Sequence, residues 1–220
     1  MATNYKINAV ILCGGEGTRL KEIIGDRPKC MADINGVSFL TFLFNQLKQS
    51  NIVDKFILAV GNKKKEIVTY IHDHLGKLLP DPTKELPIPT TCFGIDLIFS
   101  EEKELQGTLI GLLSTLPHID SEVVLVINGD TYCPNFDFKD FLSHHGNLDI
   151  SVAKFNKVDS GIWLIKTSFL SNIVQANVMG WNREYLTILS DVKVGYYPMR
   201  NNFIDIGTPE GYEKMKEMYK

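Results

Sequence analysis

The feature that most constrains the fold of this chain is a short apolar segment that ends in a cluster of glycines. Residues Ile7–Cys13 (INAVILC) are apolar apart from one asparagine, a pattern typical of a strand buried on both faces of a sheet. Gly14, Gly15 and Gly17 follow directly. Such a strand needs a covering layer on each side, so we expect it near the centre of its sheet.

Helix-like and strand-like segments alternate through the first half of the chain. Apolar residues recur at helical spacing after Ser38, in 63–75 and in 108–116. Apolar runs typical of strands lie between these segments: Lys55–Val60, Ile95–Ser100 and Val123–Ile127. This alternation predicts a parallel sheet with right-handed crossovers, and therefore a doubly wound α/β fold.

The second half of the chain is less regular. Further strands are expected at Leu148–Phe155, Ile162–Ile165 and Val192–Tyr197. Pro209 suits the first turn of a closing helix that ends at Tyr219. The segment Leu79–Thr91 contains four of the nine prolines and is expected to be a loop, with a lid as one interpretation. We assign all these segments to a single domain, residues 1–220.

Charge and cysteine content exclude several classes of protein. The 23 Lys and Arg against 26 Asp and Glu give a formal net charge of −3, so nucleic-acid binding is not expected. The four cysteines form no CxxC pair, which argues against a zinc site or a disulfide framework and fits a reducing cytoplasm. Because no apolar run approaches the roughly 20 residues that span a bilayer, and Met1–Asn8 lacks the blocks of a signal peptide, we expect a cytoplasmic protein without a membrane partner.

The glycine-rich segment Leu12–Leu20 (LCGGEGTRL) is a candidate phosphate site. Its glycines let backbone N–H groups point inward as an anion cradle, and a following helix N-terminus would add to the field. Two familiar motifs do not fit: a Walker loop needs Gly-Lys-Ser/Thr at residues 17–19, and the dinucleotide fingerprint needs a third glycine at Leu20. From the glycines alone, an ordinary strand-to-helix turn is an equal alternative.

Two cations follow this loop in the sequence. Arg19 can hold a phosphate bidentately, and Pro28 stiffens the chain beside Lys29, a compact charge able to meet a second phosphate. Two cations beside one anion cradle indicate a polyphosphate ligand. Taken alone, Lys29 could equally be a solvated surface lysine.

Two aspartates that follow apolar runs are candidate metal ligands. Asp130, in Asn128-Gly129-Asp130, comes after the run VVLVI and is expected at the carboxyl edge of the sheet, where open α/β sheets bind ligands. Asp205 ends a second apolar stretch. Two carboxylates converging on a triphosphate suit Mg²⁺, which takes one or two protein oxygens together with phosphates and waters. For either aspartate alone, a turn or a helix cap is an equal interpretation.

Together, these segments resemble the sugar-1-phosphate nucleotidylyltransferases, a family with a Rossmann-like catalytic domain of the nucleotide-diphospho-sugar transferase type. Matching motifs run in the same order over nearly the whole chain: LCGGEGTRL, RPKCM, ELQGT, NGD and FIDIGTPEGY. Within the family, LCGGxGTRLK combined with PKxMADINGxxFL is most similar to the bacterial D-glycero-D-manno-heptose 1-phosphate guanylyltransferases of surface-polysaccharide synthesis.

The resemblance implies a role for each motif. Arg19 would contact the β and γ phosphates, Lys29 the sugar phosphate or the α-phosphate, and Asp130 with Asp205 the Mg²⁺. Of these residues, Arg19, Lys29 and Asp130 are predicted to be catalytic. The residues expected to hold the nucleotide, the last two by facing its base, are Leu12, Gly14, Gly15, Gly17, Thr18, Gln106 and Gly107.

The predicted sugar-binding region departs from the family in two places. Ser160 and Gly161, in the stretch SGIW, resemble a sugar-contacting strand and are the predicted contacts. Only three residues separate Phe155 from Asp159, where the family usually has a longer excursion with a Tyr-Gly pair and a Glu-Lys motif. The stretch Asn177–Tyr185 also differs from the sequence that the family usually has at this place. We therefore expect an abbreviated sugar pocket.

The resulting hypothesis is nucleotidyl transfer from a nucleoside triphosphate to a sugar 1-phosphate, without a covalent intermediate. GTP and the heptose 1-phosphate are the expected substrates, giving GDP-heptose, and uridylyl-, cytidylyl- or thymidylyltransferase activity is the alternative. A homodimer is one possible assembly. A nicotinamide-dependent oxidoreductase shares the fold class, but Val60-Gly61-Asn62 offers no acidic residue after the second strand. A non-catalytic nucleotide-sugar sensor is a remoter alternative, disfavoured by Lys29 and both aspartates.

Two further features are given structural roles. The pair His144-His145 has no third ligand at metal spacing and is expected in a surface turn before Gly146. Cys13 has no apparent histidine partner, so we expect a packed small residue and not a nucleophile.

Overall fold

An eight-stranded sheet forms the centre of the protein. The computed structural model describes residues 6–15, 18–61, 63–75, 90–101, 107–175 and 191–220. The strands, in their order across the sheet, are β11 (Val194–Pro198), β9 (Ile150–Phe155), β10 (Val158–Lys166), β7 (Val123–Asn128), β1 (Ile7–Leu12), β4 (Val53–Val60), β6 (Ile95–Glu101) and β5 (Thr90–Cys92). Two short ladders lie outside it: β2 (Asp33–Ile34) with β3 (Val37–Ser38), and β8 (Thr131–Tyr132) with β12 (Ile204–Asp205).

The central strands are parallel. β1 pairs in parallel with β4 on one side and with β7 on the other, and β4 pairs in parallel with β6. β10 runs antiparallel between β7 and β9, and β5 is antiparallel to β6 at one edge. The predicted doubly wound, mostly parallel sheet is therefore confirmed.

Helices cover both faces of this sheet. Their bounds are α1 (Lys21–Ile24), α2 (Phe39–Ser50), α3 (Lys64–Tyr70), α4 (Thr108–Ser114), α5 (Phe138–His145), α6 (Thr167–Gln175) and α7 (Pro209–Met218). In the described part of the chain, no helix is long and apolar enough to cross a membrane.

Successive residues of β1 serve two separate cores, as the alternation of a strand requires. Ala9 and Ile11 belong to a cluster that includes Leu43 of α2, whereas Val10 packs in a second cluster with Leu112 of α4. Ala9, Val10 and Ile11 are all fully buried. The expectation of a central strand buried on both faces is thus correct.

Several segments differ from the sequence-based expectation, among them the short strands β2, β3, β8 and β12, which were not predicted. Helices α5 and α6 were not predicted, and His145 lies buried within α5 instead of in a surface turn. Thr90 and Thr91 belong to the edge strand β5, because a tight turn with positive φ at Phe93 and Gly94 folds them back onto β6. The rest of the expected loop, 79–89, lies outside the described residues, as does the divergent stretch 177–185.

Candidate active site

A cleft of about 370 Å³ opens at the carboxyl ends of β1, β4 and β7, the edge at which open α/β sheets bind ligands. The glycine loop, the segment after Pro28, the start of α4 and the Asn-Gly-Asp motif all contribute to its lining. The lining residues are Leu12, Cys13, Gly14, Gly15, Lys29, Cys30, Ala59, Gly107, Thr108, Gly111, Asn128, Gly129 and Asp130.

Gly129 brings the aspartate motif against the end of β1. Its N–H donates to the Leu12 carbonyl over 3.0 Å. A Cβ at this position would lie 2.7 Å from that carbonyl oxygen and 3.2 Å from the Cys13 Sγ, so a side chain would force the two strand ends apart. Glycine here therefore fixes the distance between Asp130 and the glycine loop.

The short β8–β12 ladder brings Asp205 to the same place as Asp130. The Ile206 N–H donates to the Asp130 carbonyl over 2.9 Å, and the Gly207 N–H donates to Asp205 Oδ1 over 2.8 Å. A Cβ placed on Gly207 would lie 2.8 Å from Asp205 Oδ1 and 3.0 Å from Asp130 Oδ2. The two carboxylates, 75 residues apart in sequence, therefore face one point beside Gly207.

This donor set fits a magnesium ion. Carboxylate oxygens are the hard ligands that Mg²⁺ prefers, and an ion held by two of them keeps positions for phosphates and water. Among the residues that the structure describes, no group of three or more His, Cys, Asp or Glu side chains could hold a metal. The protein thus offers a two-carboxylate site of the kind expected for a metal that arrives with a phosphorylated ligand.

Each carboxylate is paired with one of the predicted cations. The Lys29 ammonium contacts Asp130 Oδ2, and these side chains are only 21% and 15% exposed. Arg19 Nη2 lies 3.8 Å from Asp205 Oδ2, with the arginine 64% exposed. Lys29 therefore lies inside the cleft, close to Gly15, whereas Arg19 lies at its rim.

The Cys13 thiol is buried in the cleft wall. A hydrogen bond with Cys30 raises its pKa well above the ordinary value, and burial raises it further. The thiol therefore stays protonated and unreactive, since the thiolate is the nucleophilic form. This agrees with the prediction that Cys13 is a packed residue.

The structure brings most of the predicted site residues together, with three qualifications. The hydroxyl of Ser160 is buried and donates to the Ala153 carbonyl over 2.8 Å, so the side chain is engaged inside the sheet, and its contact with a ligand stays a prediction. Gly161 lies beside the cleft residue Asn128. Gly17 and Gln106 lie outside the described residues, and of Thr18 only the backbone, a 3₁₀ turn, is described.

One charged residue at the start of β10, two residues before Gly161, was not singled out by the sequence analysis. Asp159 accepts hydrogen bonds from the Gly161 N–H over 2.8 Å and from the Trp163 indole N–H over 3.0 Å. Its position two residues before a glycine carries no motif of its own. The signal that could have found it is its place in the stretch that resembles a sugar-contacting strand.

A glycine loop, two cations and two convergent carboxylates at one sheet edge define a protein that handles nucleoside polyphosphates. The chain belongs to the family of MobA-like NTP transferase domains, whose sequence profile matches residues 9–178. It is similar to the D-glycero-alpha-D-manno-heptose 1-phosphate guanylyltransferase of Campylobacter jejuni, with 29% identity over 233 aligned residues that cover 94% of this chain and 97% of that protein.

Solved structures show the same likeness. The crystal structure of HddC from Yersinia pseudotuberculosis is 25% identical, with a TM-score of 0.76 over 97% of this chain and 100% of that one. The structure of the same protein complexed with GMP-PN gives equal values. The resemblance inferred from the motifs is confirmed at the level of family and fold.

Proposed function

We propose that this protein is a sugar-1-phosphate nucleotidylyltransferase that joins GTP and D-glycero-D-manno-heptose 1-phosphate to give GDP-heptose and pyrophosphate. The observation that carries the proposal is the convergence of Lys29, Asp130 and Asp205 beside the glycine loop. The reaction class rests on the family. The choice of base and sugar is supported by the heptose 1-phosphate guanylyltransferase of Campylobacter jejuni and by the GMP-PN complex of HddC.

In the proposed reaction, an oxygen of the sugar 1-phosphate attacks the α-phosphorus of GTP in line. The bond from that phosphorus to the bridging oxygen breaks, and pyrophosphate leaves with the electron pair. Such transfers depend on positioning and on charge stabilisation more than on proton transfer. Magnesium held by Asp130 and Asp205 would neutralise charge on the phosphates.

The protein's own groups bind and orient the two anions. The Cys13 N–H donates to the Ala59 carbonyl over 2.8 Å, so we assign the triphosphate to the backbone of the glycine loop that follows Cys13, with Arg19 on its β and γ phosphates from the rim. When substrates bind, Lys29 leaves Asp130 and pairs with the α-phosphate or the sugar phosphate. This pairing brings the attacking oxygen close to the α-phosphorus. Gly107 lines the cleft at the start of α4, and we assign it, together with Gln106, to contacts with the base.

The test is a substrate panel. Pyrophosphate release is measured for GTP, ATP, CTP, UTP and dTTP, each with heptose, mannose and glucose 1-phosphates. We expect GTP with the heptose 1-phosphate to have the highest kcat/KM. A clear preference for another nucleotide overturns the guanylyl assignment but keeps the reaction class, whereas no pyrophosphate release from any pair overturns both.

Two further parts of the proposal concern the setting of the enzyme. We place it in the cytoplasm, a reducing compartment that suits its four free cysteines, and we propose that it forms a homodimer. Sedimentation equilibrium of the purified protein tests the assembly, and a monomer at micromolar concentration contradicts it.

A further inference from the structure

The first turn of helix α7 connects two segments of the candidate active site. Its N-cap residue, Thr208, donates from its hydroxyl to the Asp205 carbonyl over 3.0 Å. Four residues further on, the Tyr212 hydroxyl donates to the Asp33 carbonyl over 2.7 Å. The Tyr212 N–H also donates to the Thr208 carbonyl over 2.9 Å. One closed turn of helix therefore joins the backbone of Asp205 to that of Asp33.

This turn is packed tightly against Asp205. The Gly211 N–H donates to the Thr208 hydroxyl over 3.1 Å, which caps the helix. A Cβ on Gly211 would overlap the Asp205 carbonyl group, so a glycine at this position is what lets the helix approach so closely. The start of α7 and the segment that carries the Asp205 carboxylate thus form one rigid unit.

A short buried segment connects Asp33 to Lys29. Residues Lys29–Met31 form a 3₁₀ turn, and the Ala32 N–H donates to the Lys29 carbonyl over 2.9 Å. The Ala32 carbonyl accepts in turn from the Phe39 N–H over 2.9 Å. Because close-packed segments transmit a displacement instead of absorbing it, a shift of Asp33 would also move the backbone of Lys29.

The far end of α7 holds the same hairpin. Asn35, in the turn between β2 and β3, donates from its side-chain amide to the carbonyls of Lys216 and Tyr219, over 2.8 Å and 3.2 Å. Carbonyl groups at the end of a helix have no partner within it. The hairpin is therefore bound to both ends of α7, and Tyr212, only 6% exposed, makes the buried one of the two contacts.

The separation of Lys29 from Asp205 matters because three charged groups meet beside Gly207. The position that a Cβ of Gly207 would take lies 3.4 Å from Lys29 Nζ and no more than 3.0 Å from oxygens of Asp205 and Asp130. In the proposed reaction Lys29 pairs with a phosphate at this point. A misplacement of about 1 Å can lower the rate of such a transfer roughly 100-fold.

We propose that Tyr212 is a positioning residue, whose hydroxyl holds the Lys29 segment at a fixed distance from Asp205 with the first turn of α7 as the spacer. Asn35 supports the same arrangement from the other end of the helix. This inference rests on the proposed function, because it concerns the placement of a cation that acts in that reaction.

The first experiment is a double-mutant cycle between Tyr212→Phe and Lys29→Met. Tyr212→Phe removes the hydroxyl and keeps the buried ring. We expect it to lower kcat/KM for the sugar 1-phosphate about 10-fold, but by less than about twofold when Lys29→Met is already present. Tyr197→Phe is the matched control, because the Tyr197 hydroxyl donates to Asp140 over 2.6 Å beside the outer strand β11. Its kinetics should equal those of the wild type.

The second experiment needs no turnover. Lys29 contacts Asp130 Oδ2, so a displaced Lys29 competes less with a cation for that oxygen. In titration calorimetry without nucleotide, we expect Tyr212→Phe to bind Mn²⁺ about threefold more tightly than the wild type, less than the roughly tenfold gain from removing the lysine charge. Tyr212→Phe should add nothing to Lys29→Met. A protein that is merely less stable would not bind a cation more tightly.

A second variant tests the same arrangement without touching the core. Asn35 has a φ of 52°, so Asn35→Gly keeps the left-handed turn and removes only the amide that binds the end of α7. We expect kcat/KM to fall and Mn²⁺ affinity to rise, each by about twofold, a smaller change than in Tyr212→Phe because this contact is exposed.

The outcomes distinguish this inference from the proposed function. Equal losses of kcat/KM from Tyr212→Phe with and without Lys29→Met overturn the positioning role and leave the enzyme's activity standing. Unchanged kinetics and Mn²⁺ affinity in both Tyr212→Phe and Asn35→Gly do the same. A wild-type protein that releases no pyrophosphate overturns the proposed function, and the Mn²⁺ titrations then still decide whether Tyr212 sets the position of Lys29.

Discussion

At the residue scale, the site depends on contacts between single atoms. Lys29 neutralises Asp130 inside the cleft, so its ammonium competes with any cation for that carboxylate. A metal ion that binds to Asp130 Oδ2 competes with Lys29 for that oxygen, and a phosphate that attracts Lys29 releases it. Metal and nucleotide should therefore bind better together than either binds alone.

We predict that Lys29→Met strengthens binding of a divalent cation in the absence of nucleotide. Removing a unit charge about 4 Å from the ion should raise affinity for Mn²⁺ at least about tenfold, even with solvent screening, while turnover falls by about 100-fold or more. Titration calorimetry with Mn²⁺ measures the first effect. Lys21→Met is the control, since Lys21 pairs with Asp26 on the surface. Equal Mn²⁺ affinity in wild type and Lys29→Met would contradict the competition.

A second residue-scale prediction concerns Gly207. In Gly207→Ala the new methyl group would meet oxygens of both Asp205 and Asp130, 2.8 Å and 3.0 Å from the Cβ position. We expect kcat to fall roughly 100-fold through the displaced carboxylates, with unfolding free energy changed by only about 1 kcal/mol, because the atoms that the methyl meets are the ends of side chains and not backbone. Denaturant titration and pyrophosphate release report the two quantities. A stable variant with wild-type kcat would show that the carboxylates do not act at this point.

At the scale of secondary-structure elements, helix α5 is joined to β9 through a buried histidine. His145 is 2% exposed, and one ring nitrogen lies 2.7 Å from the Ser151 hydroxyl. Burial, helped by the charge of Lys166 and opposed by that of Asp149, lowers the pKa of His145 to about 4. The folded protein thus holds this histidine neutral, while the unfolded chain takes up a proton near pH 6.5.

The protein should consequently lose stability as the pH falls from about 6.5 towards 4. Between pH 7 and pH 4.5 this one group should remove roughly 2 kcal/mol of unfolding free energy. His145→Leu lacks this group, so its loss of unfolding free energy between the two pH values should be smaller than that of the wild type by roughly 2 kcal/mol. His144→Leu, at an exposed position, should behave as the wild type. Urea titrations at the two pH values give the comparison, and parallel losses in all three proteins would refute it.

The elements that sequence predicted well are those whose burial leaves a simple pattern. β1, β4 and β7 are buried on both faces and therefore form apolar runs. Helix α5 also had a signal that was missed: Asp137 caps it by accepting from the Asp140 N–H, and Gly146 follows its last residue. The edge strand β5 had no such signal in the sequence, because it forms only when the turn at Phe93 and Gly94 places it beside β6.

At the scale of the whole molecule, the fold explains why sequence could predict most of the site and not all of it. Parallel strands deliver their carboxyl ends to one edge, so the glycine loop and Asp130 had to meet there. The meeting of Asp205 with Asp130 depends on the separate β8–β12 ladder and was inferred from the resemblance. Asp159 is oriented by hydrogen bonds from Gly161 and Trp163 of its own strand, contacts that strand periodicity does not predict.

The central claim is that one cleft, built on Asp130, catalyses nucleotidyl transfer. The most direct measurement is the steady-state rate of pyrophosphate release from GTP and the heptose 1-phosphate by Asp130→Asn, beside its thermal unfolding. We expect a rate lower by about 1,000-fold or more, through loss of the metal-binding charge, with an unfolding midpoint close to that of the wild type. A folded Asp130→Asn protein that retains near wild-type turnover would contradict it.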